Sequence, residues 1–344
     1  MGNSKPWLFV VAGILIGLAA GGALGRHFWP APASPPPGDN AQDRASHFDA
    51  SGHQTMFVTV EPGVQLEVLD WGGTGETLVF LAGLGDNAHV YDEFAHQFTD
   101  RFRVVGITRR GFGKSSQPAQ GYDVATRARD DVAVLDHLKV PAAVFVGHSF
   151  AGDELSKLGA DHPDRVRKLV YLDALEFGGE WPKLPQPPSP DYTDADLASM
   201  PRFAAANARF QGVRQPLAAV AHTVKTDAAG KITEGTTTPE ITKKMKEGSQ
   251  LADYSRIQAP VLGIFNILTP ESRWAFYYYL TPAQQAEYER SLKLIAPWQA
   301  KAIQRFRSEI KNVQVVELHD SNHYIFIREE SLVVRLVRKF LLEK

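Results

Sequence analysis

From residue 77 onward the chain keeps returning to short runs that are almost continuously apolar: Thr77–Leu81, Arg103–Thr108, Ala142–Gly147, Lys168–Leu172, Pro260–Phe265 and Gln314–Leu318. A strand with one wet face alternates apolar and polar residues, whereas a strand without alternation must be covered on both faces. Amphipathic segments fit between the runs, at about His89–Phe98, Val124–Leu138, Phe150–His162, Pro282–Glu309 and Glu329–Leu342. In the second of these, Val124, Ala128, Val134, Leu135 and Leu138 recur at helical spacing, and Asp131 is expected on the exposed side. Strand–helix alternation with tight links predicts an α/β fold built on a mostly parallel, doubly wound sheet of about eight strands. The first two strands, Phe57–Val60 and Gln65–Trp71, have Pro62-Gly63 between them and are expected to form an antiparallel hairpin leading into that sheet.

The rhythm breaks between Asp173 and Pro260, a stretch rich in Pro, Ala and Thr with helical patterning only around Asp194–Phe210. A loop of that length does not sit in a compact domain without structure of its own. An inserted cap is therefore expected at about residues 175–258. No internal repeat is present.

The N-terminus is set apart by composition. Trp7 to Gly25 is apolar and uncharged, and as a helix it would reach about 28 Å, close to the hydrocarbon thickness of a bilayer. Its length favours an uncleaved membrane anchor over a signal peptide, but Ala31 and Ala33 have the small-residue spacing of a cleavage site. The expectation is a domain held outside the cytoplasm by one N-terminal helix, or a secreted or periplasmic protein if the segment is cleaved. Pro30–Pro37 reads as an extended polyproline linker. The expected divisions are 1–29 for the anchor or signal, 30–55 for the linker and 56–344 for the domain with its cap.

Hydrophobic residues make up 44% of the chain and charged residues 22%, enough apolar material for a sizeable core. A net charge of −2 provides no field for nucleic acid, so no such partner is expected. The absence of cysteine excludes disulfides, thiolate-bound zinc and a thiol nucleophile. Nothing in the sequence sets an oligomeric state.

The run Ala142–Gly147 leads directly into Gly147-His148-Ser149-Phe150-Ala151-Gly152 and then a helical segment. In this strand–turn–helix context, G-x-S-x-G makes a sharp turn that lifts a serine hydroxyl above the sheet. Ala151 replaces the second glycine with the smallest side chain available. Ser149 is thus the candidate nucleophile. A serine needs a base, and His323 lies on the loop after the last strand, with His319 as a weaker rival. Two backbone N–H groups are needed for a developing oxyanion: Phe150, just after the nucleophile, and Leu84, in the glycine-rich turn Ala82-Gly83-Leu84-Gly85-Asp86. The other histidines show no metal-ligand spacing with a third ligand, and neither a metal site nor a cofactor is expected.

Gly83-Leu84-Gly85, Arg110-Gly111-Phe112-Gly113-Lys114-Ser115-Ser116, Gly147-His148-Ser149 and Asn322-His323 occur in the order and spacing of the α/β-hydrolase superfamily, which this chain resembles from about Phe57 to Leu342, the cap excepted. Ala82 stands where relatives often have histidine, and that histidine does no chemistry. The resemblance implies an acid partner for the base. Most relatives carry an aspartate after the penultimate strand, but here Asn266-Ile267-Leu268-Thr269-Pro270-Glu271 offers only Glu271, about two positions late. Haloalkane dehalogenases and some lipases instead place the acid after the preceding strand, where Asp173 stands. Asp173 is preferred, with Glu271 as the alternative and Glu176 a further candidate. A serine at the elbow, unlike the aspartate of dehalogenases and epoxide hydrolases, implies acyl transfer to water: hydrolysis of a carboxylic ester, or of an amide or thioester, from a small-molecule acyl substrate. An acyltransferase, a carbon–carbon bond hydrolase or a catalytically silent binding protein are the alternatives. Trp181, Phe203, Phe210, Trp274, Phe276 and Tyr277–Tyr279 are candidates for an apolar acyl pocket or, equally, for the cap's own small core.

Overall fold

A computed structural model describes residues 51–176, 178 and 187–343. The apolar segment 7–25, the proline run and Trp181 lie outside the described residues. Among the described residues, no helix is long and apolar enough to cross a membrane.

The sheet begins with β1 (Gln54–Glu61) and β2 (Val64–Gly72), an antiparallel pair whose closing residues are Glu61 and Val64. Pro62 presets its own φ, and Gly63 takes the left-handed conformation (φ +80°) that the tight turn demands. β3 (Glu76–Leu81), β4 (Phe102–Ile107), β5 (Ala143–His148), β6 (Val166–Leu172), a small cap hairpin β7 (Val224–Thr226) and β8 (Ile232–Gly235), β9 (Val261–Asn266) and β10 (Val313–Leu318) follow. The main sheet has 8 strands in the order β1-β2-β4-β3-β5-β6-β9-β10. Only β2 runs against its neighbours; from β4 to β10 every pairing is parallel.

Successive residues in the central strands serve opposite layers, as the two-residue strand period requires. Leu78, Phe80, Val144, Val146, Val170 and Leu172 pack on one side with Phe94, Phe98, Val333 and Val337. Val79, Leu81, Phe145, Leu169 and Tyr171 pack on the other with Leu135, Leu155, Leu158 and Phe306. Leu135 comes from α1 (Val124–His137), Leu155 and Leu158 from α2 (Ala151–Asp161), Phe306 from α6 (Pro282–Glu309), and Val333 and Val337 from α8 (Glu330–Leu342), which follows the short α7 (Ile325–Arg328); Phe94 and Phe98 come from the segment between β3 and β4, and α3 to α5 belong to the cap. Each fully buried side chain of this size contributes roughly 1.5–3 kcal/mol of burial free energy, so double coverage is what stabilises the parallel core. α6 contributes to both layers, with Tyr288, Leu292 and Ile295 on one side and Ile303 and Phe306 on the other. Pro297 lies within this helix and cannot donate to the carbonyl one turn back.

Asp131 does not lie on an exposed face. It is 4% exposed, in a layer of charge between α1 and α2 where Arg127 approaches Asp153 and Glu154 at 3.8 and 3.5 Å. The helical pattern marks Asp131 as polar, but the covering charges come from another helix, which a single-helix pattern cannot register. Burial, reinforced by the neighbouring Glu154, pushes the Asp131 carboxyl well above the usual carboxylate range.

Between β6 and β9 the described residues form α3 (Met200–Gln211), α4 (Leu217–Ala221), the β7–β8 hairpin and α5 (Pro239–Glu247). Leu197, Met200, Phe203, Val220, Val224 and Ile232 make a separate small core. Core side chains reach onto this region's backbone: Asn87 Nδ2 donates to Ala219 O (2.9 Å), Gln117 Nε2 to Thr236 O (2.9 Å) and Asn322 Nδ2 to Gln211 O (2.9 Å).

Candidate active site

Ser149 occupies the turn between β5 and α2 with φ +55°, a left-handed conformation for a non-glycine residue. Such a conformation costs on the order of 1–3 kcal/mol and persists only where its surroundings over-determine it. Here they do. The Ser149 N–H bonds to Leu172 O at 3.2 Å, at the end of the neighbouring strand. A Cβ on Gly147 would meet the Ala151 methyl at 2.9 Å, and one on Gly152 would meet Ala174 O at 2.4 Å. The turn therefore tolerates Ala151 because Gly147 is bare opposite it.

His323 lies on the loop between β10 and α7, and its Nδ1 is 2.7 Å from Asp173 Oδ2. Asp173 ends β6 with φ +47°, donates its N–H to Ile264 O (2.8 Å) and accepts the Asn266 N–H on Oδ1 (3.0 Å). The carboxylate is thus held between the ends of β6 and β9, with one oxygen anchored and the other aimed at the imidazole. Glu271 is exposed, and no hydrogen bond or ion pair links its side chain to His323. Its late position in an irregular segment carries it away from the sheet edge. Glu176 instead pairs with Arg305 and the Ala252 N–H, and His319 is exposed.

The other ring nitrogen, His323 Nε2, is buried without a hydrogen-bond partner. No hydrogen bond joins it to Ser149 Oγ in this structure; contacts of this type often close only when substrate is bound. Burial pulls His323 below the ordinary imidazole value and pushes the Asp173 carboxyl up, while the Asn266 N–H acts on Asp173 in the opposite sense. Their contact opposes both shifts, since imidazolium and carboxylate stabilise one another at this distance. His148 packs on His323 with ring centroids 4.5 Å apart and hydrogen-bonds through Nε2 to the His323 carbonyl at 3.0 Å. Burial holds His148 well below its ordinary pKa, and Nε2, facing a carbonyl oxygen, is the donor.

The turn after β3 lies against the serine: a Cβ on Gly83 would be 3.2 Å from Ser149 Cβ. Sequence reasoning missed what holds it. Arg109, 7% exposed, donates to Ala82 O (2.8 Å) and Gly83 O (3.2 Å), and its guanidinium is gripped by Glu154 of α2. The peptide unit joining Gly83 to Leu84 is planar and trans, so a carbonyl drawn towards Arg109 turns the Leu84 N–H the opposite way. Arg109 is therefore a positioning residue for the turn. It sits one residue before the Arg-Gly-Phe-Gly segment, but nothing in that spacing shows which carbonyls it meets.

Beside Leu84 lies a small recess with Asp86, Asn207, Gln211, Gln215, Thr223 and Tyr324 in its wall. Asp86 accepts from Tyr324 Oη (3.1 Å) and Gln215 Nε2 (3.2 Å), and burial raises its pKa to about 6 against those bonds. Among the described residues, none of the aromatic side chains proposed for an apolar pocket is in this wall. Phe203 belongs to the cap's core, Phe210, Trp274 and Phe276 to the main core, and Tyr278 and Tyr279 are exposed. Large apolar side chains in a cap read alike whether they line a cavity or fill the cap, which is why sequence could not separate the two.

The α/β hydrolase fold family matches residues 76–260, and the chain belongs to it. It is similar to a putative non-heme haloperoxidase of Mycobacterium phage D29, 37% identical over 103 residues that cover 30% of this chain and 37% of that protein. A bifunctional esterase/perhydrolase of Acinetobacter calcoaceticus is 35% identical over 122 residues, 35% of this chain and 44% of that protein. The chain thus spans less than half the length of these curated relatives. Among solved structures, E-2-(acetamidomethylene)succinate hydrolase superposes with a TM-score of 0.61 at 18% identity, covering 84% of this chain and 99% of that one. That likeness is one of fold.

Proposed function

We propose that the protein is a serine hydrolase that cleaves a carboxylic ester through an acyl-enzyme. The observation that carries this reading is the 2.7 Å pair of His323 Nδ1 and Asp173 Oδ2, which leaves Nε2 buried and uncommitted in a fold that also holds Ser149 on a strained turn. His323 removes the Ser149 proton as Oγ attacks the ester carbonyl, and the Leu84 and Phe150 N–H groups receive the oxyanion. The tetrahedral intermediate collapses as His323 hands the proton to the leaving alcohol. Water, deprotonated by the same imidazole, then releases the acid. The esterase/perhydrolase relative supports the substrate class.

The test is hydrolysis of aryl esters of increasing acyl length, with the acyl-enzyme trapped and weighed by mass spectrometry. A mass increment equal to the acyl group is expected on the peptide containing Ser149. The same assay has a pH signature. The base works only when neutral, so kcat/KM falls as pH drops through the His323 pKa. Because burial lowers that pKa, the acid limb is expected below the ordinary value of about 6.5. An acid limb above pH ~7 would mean that the site favours the imidazolium, contrary to the reading.

The apolar segment 7–25 supports a location outside the cytoplasm. Full-length protein is expected to sediment with membranes and resist salt and carbonate, whereas a chain lacking residues 1–38 is expected to be soluble and active. A soluble natural form beginning at Ser34 would identify a cleaved signal instead.

A further inference from the structure

Away from the serine, the fold collects histidines and carboxylates that are scattered along the chain. Glu67 of β2 and His89 of the segment after β3 are fully buried, and His222, at the C-terminal end of α4 in the cap, joins them from the half-buried side. One ligand-type atom of each lies within 4.8 Å of the others. We propose that Glu67, His89 and His222 bind a divalent transition metal, zinc by preference, that fastens the cap to the sheet.

The geometry fits the ion. Zinc holds oxygen and nitrogen ligands at about 2.0–2.1 Å, which sets neighbouring ligand atoms of a tetrahedron roughly 3.3–3.5 Å apart. His89 Nε2 and Glu67 Oε1 are 3.6 Å apart, and the His222 ring centroid is 4.5 Å from that of His89. Glu67 Oε1 and His222 Nδ1 are buried without hydrogen-bond partners. The outer contacts are those a metal site needs to orient its ligands. His89 Nδ1 meets Asp92 Oδ2 at 3.2 Å, which turns the Nε2 lone pair towards Glu67. Asp92 in turn accepts from Trp71 Nε1 at 3.0 Å and meets His53 Nδ1 at 3.3 Å. Thr108 Oγ1 donates to Glu67 Oε2 at 2.9 Å, leaving Oε1 for the ion.

The donor set of one carboxylate and two imidazoles suits zinc, copper or nickel over magnesium or calcium. It leaves a fourth position for water, and the half-buried His222 marks the way in. Two buried carboxylates also need positive charge, and Lys114 Nζ, itself half-exposed, comes no closer than 3.9 Å to Glu67. The rival occupant is a proton. Burial alone would lower the pKa of His89, but the adjacent Asp92 and Glu67 carboxylates raise it to about 9, so an imidazolium between two carboxylates satisfies the same charge balance. No local spacing signals this site, because its ligands stand at positions 67, 89 and 222.

The experiment uses the full-length protein, stripped with a chelator and titrated with zinc chloride. One zinc per chain is expected to bind, and free zinc at 100 times its Kd should raise Tm by about 5 °C. His222→Ala should abolish that rise while leaving the metal-free Tm within about 2 °C. Zinc K-edge absorption of the wild type should show a first shell of nitrogen and oxygen with two imidazoles, which keeps the test open if the variant misfolds. Absence of stoichiometric binding, an unchanged response in His222→Ala, or fewer than two imidazoles in the shell would overturn the proposal in favour of the protonated His89.

Discussion

Replacing Ser149 with alanine is expected to lower kcat for ester hydrolysis by about 10⁶-fold and to abolish labelling by a fluorophosphonate. The size of the effect follows from chemistry that nothing else nearby can perform. Without Oγ no acyl-enzyme forms, and water alone attacks the carbonyl with only backbone donors to help. The fold should survive. Alanine keeps the Ser149 N–H bond to Leu172 and fits the space between Gly147 and Gly83. Labelling that persisted in Ser149→Ala would send the assignment elsewhere, yet the other serines in or near the sequence motifs are engaged. Ser115 Oγ donates to Thr108 O at 2.5 Å, Ser116 Oγ accepts the Gln65 N–H at 2.9 Å, and Ser321 Oγ contacts Glu329 at 3.4 Å.

Asp173→Asn is expected to cost about 10⁴-fold in kcat with cooperative unfolding retained. Asparagine has the same shape, so the argument rests on one hydrogen atom. Its carbonyl oxygen would keep the bond from the Asn266 N–H, which places its NH₂ against His323 Nδ1. That nitrogen must then accept, the proton moves to Nε2, and the lone pair that should take the Ser149 proton is gone. Glu271→Gln should leave kcat within about 2-fold, as expected of an exposed side chain. Turnover near wild type in Asp173→Asn, with collapse in Glu271→Gln, would overturn the proposed role. Loss of cooperative unfolding in Asp173→Asn would assign Asp173 to the structure rather than the chemistry.

How far the sequence could be read depended on whether the deciding contact was local. The strands from Thr77 onward stood out because double coverage removes polar residues from both faces. The Ser149 turn stood out because its glycine and alanine are demanded within a few residues of it. The partner of the His323 ring did not, because Asp173 and Glu271 each follow a strand, and which carboxylate reaches that ring is decided by β6 and β9 lying side by side in the sheet. Asp131 misled because a charged residue on a helix reads as exposed until the second helix is in place. Much of the cap escaped notice for a different reason. α4, β7 and β8 are three to five residues long, too short for either periodicity to accumulate.

Three of the hydrogen bonds that seat the cap end on its main chain. Asn87, Gln117 and Asn322 supply side-chain donors from the core, and what they grip on the other side is the backbone carbonyl of Ala219, Thr236 or Gln211. A carbonyl is present whatever residue carries it. Those cap positions can therefore exchange side chains across generations without giving up these fastenings, so long as the main chain keeps its path. The wall of the recess includes Asn207, Gln211, Gln215 and Thr223 from this same region. The residues of that wall are thus free to change while Ser149, His323 and Asp173 stay where they are.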